Sequence, residues 1–222
     1  MADRCVSIQV SISREDVLHF LGYPKGKPPA ERVAGMLGET LAEARSLAHA
    51  RGAFAELPVS SAAEVGLEAI EADGLVIGLV TAGGGIEERV VEMMSAGDMT
   101  RALLLDAAGS AAAEEAANRL SALISGDEAG EASDVSCRIS PGYGRWSLTS
   151  QTALFARLPH AQLGVSLLPS MLMVPRKSIS FAMWMGAEAR PITGLSGCTT
   201  CGLEHCRYRR RPAARRSSEV AP

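Results

Sequence analysis

Leu75-Val76-Ile77-Gly78-Leu79-Val80-Thr81 holds no charge and is rich in β-branched side chains. A short apolar run of that kind predicts a buried strand. Gly83-Gly84-Gly85 follows and leads into a helix expected over 86–95, stopped by Gly97. A glycine turn between strand and helix can cradle a phosphate. This one lacks both the Gly-Lys-Ser/Thr ending of a P-loop and the Gly-x-Gly-x-x-Gly spacing, and it opens onto Glu87-Glu88. It reads as a connection.

Upstream of the strand, Val6, Ile8, Val10 and Ile12 alternate with Ser7, Gln9 and Ser11, which predicts a half-buried strand. Ser13 is placed to cap a short helix through Phe20, with Glu15 and Asp16 in its first turn. His19 in that helix falls in Asp16-Val-Leu-His19-Phe-Leu-Gly22, one residue longer than the Asp-x-His-x-x-Gly of corrinoid-binding modules, so it reads as an ordinary helix residue. A longer helix is expected over 30–50, with Val33, Leu37, Leu41, Ala44 and Ala48 on one face. Leu57 to Val59 and 69–72 read as short elements of no assigned type.

Downstream, 98–124 is strongly helical, with a bend allowed at Gly109. Ala113, Ala116, Ala117 and Leu120 form a core face small enough to lie close to a neighbouring backbone, and Glu114 sits on its rim. An acidic linker over 126–134 comes next, then a helix expected over 150–158. Two late strands are expected over 163–168 and 178–183, with Met173, Met183 and Met185 as core filler. Strands and helices intersperse without βαβ alternation. The fold class is therefore α+β: a single domain with a twisted mixed or mainly antiparallel sheet and flanking helices.

The chain has 222 residues, 47% of them hydrophobic and 21% charged, enough for a substantial core. No apolar run reaches the roughly 18 residues that cross a bilayer, and the first residues lead straight into the alternating strand, so a cytoplasmic protein is expected. Net charge is −3, unevenly spread. Six arginines and Glu219 occupy 207–222, leaving 16 basic and 24 acidic groups, a balance of −8, on residues 1–206. The basic tail over 208–222 reads as a disordered solubilising end rather than a nucleic-acid arm, since nothing upstream resembles a nucleic-acid module.

Cys137-Arg138-Ile139-Ser140-Pro141-Gly142-Tyr143-Gly144-Arg145-Trp146 concentrates a turn, two cations and two of the few aromatics. Pro141-Gly142 fits the centre of a type II turn. Arg138 can offer a planar cation and Tyr143 an aromatic face to a molecule seated there.

Several segments, taken in order, resemble the activation (reactivation) domain of cobalamin-dependent methionine synthase and its free-standing relatives. They are Leu105-Asp-Ala-Ala-Gly-Ser-Ala-Ala-Ala-Glu114, Arg138-Ile-Ser-Pro-Gly-Tyr143, Leu154-Phe155, Leu163-Gly-Val-Ser-Leu-Leu-Pro-Ser170 and Met173-Val-Pro-Arg-Lys-Ser-Ile-Ser180. The likeness spans about 75–185, within a domain expected over 1–195. It implies an S-adenosylmethionine-binding protein acting in reductive methylation of cobalamin, a methyltransferase-type activation step. The cobalamin would be presented by a partner, a methionine synthase or related corrinoid methyltransferase. Carried over by position, Glu114, Arg138, Ser140, Gly142 and Tyr143 would line the ligand groove. The family's paired late tyrosines have no counterpart between Trp184 and Gly194.

A separate motif over 196–207 contains Cys198, Cys201 and Cys206 at C-x2-C-x4-C spacing, which the methionine synthase domain lacks. Three thiolates so spaced point to a metal, with His205 or Cys137 as a fourth ligand for zinc. A [4Fe–4S] cluster on three cysteines is the other option, suited to electron delivery. That motif supports an alternative function: an iron–sulfur or zinc redox or scaffold partner of a corrinoid protein that does not use S-adenosylmethionine.

Overall fold

The structure is a computed structural model that describes residues 4–24, 26–126, 135–136 and 138–186. In chain order its elements are β1 (Arg4–Ser7), α1 (Arg14–Phe20), α2 (Glu31–Leu47), β2 (Arg51–Leu57), β3 (Gly74–Thr81), α3 (Gly85–Ser95), α4 (Met99–Ser125), α5 (Gln151–Phe155), β4 (Ser166–Leu167), β5 (Met173–Val174) and β6 (Ser178–Met185). The sheet runs β1-β2-β3-β6 with every pairing antiparallel, and β4 and β5 form a separate small hairpin. The α+β expectation holds, and the described sheet is antiparallel throughout.

All of β3 is buried, as the unbroken apolar run demands, because both of its faces are covered. Leu75, Ile77 and Leu79 join Trp146, Leu154, Phe155, Leu163 and Val165 on one face. On the other, Val80 meets Ala116, Ala117, Leu120, Phe181 and Met183. Gly78 is required on that second face, since a Cβ there would lie 2.4 Å from the Phe181 ring.

Helix α4 covers the second face, touching β2, β3 and β6, and α1, α2 and α3 pack against α4. Its alanines allow the close approach expected of them, and Ala113, Ala116, Ala117 and Leu120 are all buried. The helix runs unbroken through Gly109, from Met99 to Ser125. Gly109 answers crowding instead, with Ile86 Cγ2 2.8 Å and Lys177 Cε 3.2 Å from where its Cβ would be. Asp98 and Ser13 cap α4 and α1 through side-chain oxygens.

Other expectations need correcting. The strand foreseen through Ile12 ends at Ser7, where β2, its partner among the described residues, begins at Arg51. The helix foreseen to Ala50 ends at Leu47, and Arg51–Leu57 is a strand that sequence reading missed. Arg-Gly-Ala-Phe-Ala-Glu-Leu has weak strand propensity; two antiparallel neighbours impose the conformation. Met173 belongs to β5. Of the strand expected over 163–168 only Ser166–Leu167 pairs, because a turn with Gly164 at φ +70° occupies the start.

Candidate functional site

Beyond β6 the sheet gains a partial fifth edge at Val135 and Ile139. Val135 bridges Met185 and Ile139 bridges Ala182. Ile139 and Ala182 exchange both backbone hydrogen bonds, at 3.0 and 2.8 Å. Nearer Val135 the ladder departs from rule: Trp184 N–H donates to the Ser136 hydroxyl at 2.8 Å while Ser136 N–H donates to the Trp184 carbonyl. Four steps from Val135 to Ile139 oppose three from Met185 to Ala182, so this edge contains one extra residue, a β-bulge. Val135 packs with the α4-side core, whereas Ile139 packs with the opposite core. Arg138, adjacent to Ile139, reaches α4.

The Arg138 guanidinium donates from Nη2 to Glu114 Oε1 at 2.9 Å and to Asn118 Oδ1 at 2.7 Å. Its Cζ lies 5.8 Å from the centre of the Phe181 ring, within cation–π range. The side chains of Arg138 and Glu114 are 16% and 35% exposed, so the pair sits at the surface with most of the arginine covered. Among the described residues nothing accepts from Arg138 Nε or Nη1. Nη2, the nitrogen common to both bidentate forks of a guanidinium, is thus the one that α4 holds.

The turn expected at Pro141-Gly142 is present. Tyr143 N–H donates to the Ser140 carbonyl at 3.0 Å and Gly142 has φ +94°, as a type II turn requires. Gly142 N–H reaches the Trp146 carbonyl, and Trp146 N–H the Tyr143 carbonyl. Trp146 is buried, with Nε1 donating to the Val65 carbonyl at 2.8 Å, and this anchors the loop to the body. Tyr143 stands 53% exposed. Gly144 has nothing within 4 Å of a built Cβ, so backbone is open to contact there.

Of the five residues expected to line the groove, the fold brings Glu114 and Arg138 into direct contact, and Ser140, Gly142 and Tyr143 follow on the adjoining turn. Sequence reading missed Asn118 and Phe181. The signal for Asn118 was its position four residues after Glu114, one turn along the same helix face. The same row begins earlier on α4 with Asp106 and Ser110, which hold Lys177 Nζ at 2.8 and 3.0 Å. Glu87 accepts the Lys177 backbone N–H at 2.7 Å. The glycine connection before α3 abuts Leu47 and His49.

Cys137, Cys198, Cys201, His205 and Cys206 lie outside the described residues, as does the tail. Among the described residues no group of three or more His, Cys, Asp or Glu could hold a metal ion, and Cys5 is a free, exposed thiol. No described helix is long and apolar enough to cross a membrane.

No protein-family model and no curated protein matches the sequence. A solved structure does match the fold: a crystal structure of the MetH reactivation domain bound to AdoHcy, at a TM-score of 0.62 and 15% identity. The match covers 83% of this chain and 78% of that one. At that identity the shared property is the architecture, an α+β domain of the reactivation-domain type.

Proposed function

We propose that this chain binds S-adenosylmethionine at the Arg138 edge and acts in reductive methylation of cobalamin presented by a partner corrinoid methyltransferase. One observation carries the reading: Glu114 and Arg138, far apart in sequence, meet at 2.9 Å beside an open glycine turn, in a fold shared with a domain solved with AdoHcy. The donor set suits the ligand. Arg138 can clamp a carboxylate in bidentate fashion through Nη2 and a neighbouring N–H once the ligand draws Glu114 away. Glu114 Oε2, which accepts no described hydrogen bond, matches an ammonium. Exposed Tyr143 offers an aromatic face to the nucleobase, and Ser140 and Gly142 shape the turn beneath it.

S-adenosylmethionine, when bound, would supply an electrophilic methyl group. The chain's own contribution is to fix the amino-acid end and leave the sulfonium side open toward the partner. Calorimetry with S-adenosylmethionine on the wild type and Arg138→Ala tests this. Binding by the wild type that the variant loses supports it; equal, negligible heats from both sink it. The cysteine spacing after Cys198 supports the alternative of a metal- or cluster-bearing partner that does not use S-adenosylmethionine. Iron, sulfide and zinc analysis of anaerobically purified protein separates the two readings.

A further inference from the structure

We infer that Asn118 is a positioning residue that holds the Arg138 guanidinium in its binding orientation when Glu114 is drawn to a ligand's ammonium, a role that rests on the proposed amino-acid-bearing ligand. Both α4 acceptors act on one nitrogen, Arg138 Nη2. Nε and Nη1 face no described acceptor, but either bidentate fork of a guanidinium, with Nε or with Nη1, includes Nη2. A ligand carboxylate therefore gains a fork when Glu114 gives up its share of Nη2, and the group still tied to Nη2 then sets the plane of the guanidinium.

The two acceptors differ in what a ligand does to them. Among the described residues Glu114 is the anion on Arg138, and it is also the group an incoming ammonium would seek. Its hold on Arg138 weakens as the ligand takes up its charge. Asn118 Oδ1 is neutral, lies closer at 2.7 Å, and has nothing to offer a competing cation comparable to a carboxylate. Below the fork, Phe181 is fully buried and wedged against Gly78, so the surface under the guanidinium does not give way. Glu114 is therefore the exchangeable contact, and Asn118 with Phe181 forms the fixed seat.

Two measurements decide the matter. The first needs no ligand: nitrogen-15 spectra of the Arg138 side chain, assigned by loss of its signals in Arg138→Lys. Glu114→Ala should keep the restrained guanidinium signals, and Glu114→Ala with Asn118→Ala should lose them. Loss in Glu114→Ala alone overturns the proposal. The second titrates S-adenosylhomocysteine and 5′-methylthioadenosine, which lacks the amino-acid end. Asn118→Ala should bind the first about tenfold more weakly and the second unchanged, with Asn118→Asp recovering to within about threefold of wild type. Equal loss for both ligands would assign Asn118 a scaffold role and overturn the proposal. If the wild type binds neither ligand, the functional reading falls, while the spectra still decide whether Asn118 holds Arg138. Asn118 is exposed on a helix, and alanine is a strong helix former, so the variants should fold.

Discussion

Lys177 and Arg138 both cross to the polar row of Asp106, Ser110, Glu114 and Asn118, whose members recur every fourth residue along α4. Each cation is held by an acid and by a neutral oxygen one turn later, and the two sites lie about 12 Å apart along the helix axis. Their chemistry diverges. Lys177 is a point charge with its side chain 11% exposed, its backbone N–H fixed by Glu87 and its stem packed on Gly109. That arrangement closes the α3–α4 seam. Arg138 is a planar fork held, among the described residues, through Nη2 alone. The same helix face thus serves as a clamp at one end and as an unfinished contact at the other. The difference lies in donor geometry rather than in charge.

The sharpest way to break this contrast is at Arg138. Arg138→Ala should cost about 2–3 kcal/mol of S-adenosylmethionine binding, roughly 30- to 150-fold, with a small effect on melting. A large fall in Tm with binding intact would make Arg138 the clamp. Lys177→Met should show the reverse: about 1–2 kcal/mol of stability lost, because Asp106 and Ser110 lose their partner at a site only partly solvated. For a domain this size that is a Tm drop of about 2–8 °C, seen by calorimetry with the ligand Kd little changed. Trp146→Phe keeps the ring and removes the donor to the Val65 carbonyl. It should cost about 1 kcal/mol and a few-fold in binding, the latter showing whether the turn must be anchored to act. Glu39→Gln, which breaks an ion pair with Arg101 whose side chains are 47% and 76% exposed, should change stability by less than about 0.5 kcal/mol. A larger effect there would mean that a surface pair, and not the apolar packing, fastens α2 to α4.

What was legible in the residues were features written locally. Leu75 to Thr81 announced a central strand, Ser13 announced its cap, and Pro141-Gly142 announced its turn. Glu114 and Arg138 were singled out by resemblance, and the fold brought them together. The strand at Arg51–Leu57 was invisible because alanine, glycine and arginine carry little strand preference, and its neighbours decide it. Gly109 looked like a hinge because a sequence cannot show that Ile86 and Lys177 press on that point. Asn118 and Phe181 were missed for the same reason, since nothing local to either says that a guanidinium arrives from 138.

The extra residue between Val135 and Ile139 has a consequence for how such a site can be gained or lost. Strand side chains obey parity, and a single insertion reverses odd and even for everything that follows until the pairing ends. Here the reversal turns Ile139 toward the core opposite α4 and gives Arg138 the α4 side. Pairing that ran on from Val135 without taking up the extra residue would put Arg138 opposite Ala182, facing the core away from α4, with Arg138, Glu114 and Asn118 all still in the chain. The Arg138–Glu114 contact therefore depends on the register of this edge as well as on residue identities. A relative with every contact residue but an unbulged pairing of the same length would turn the cation away from α4.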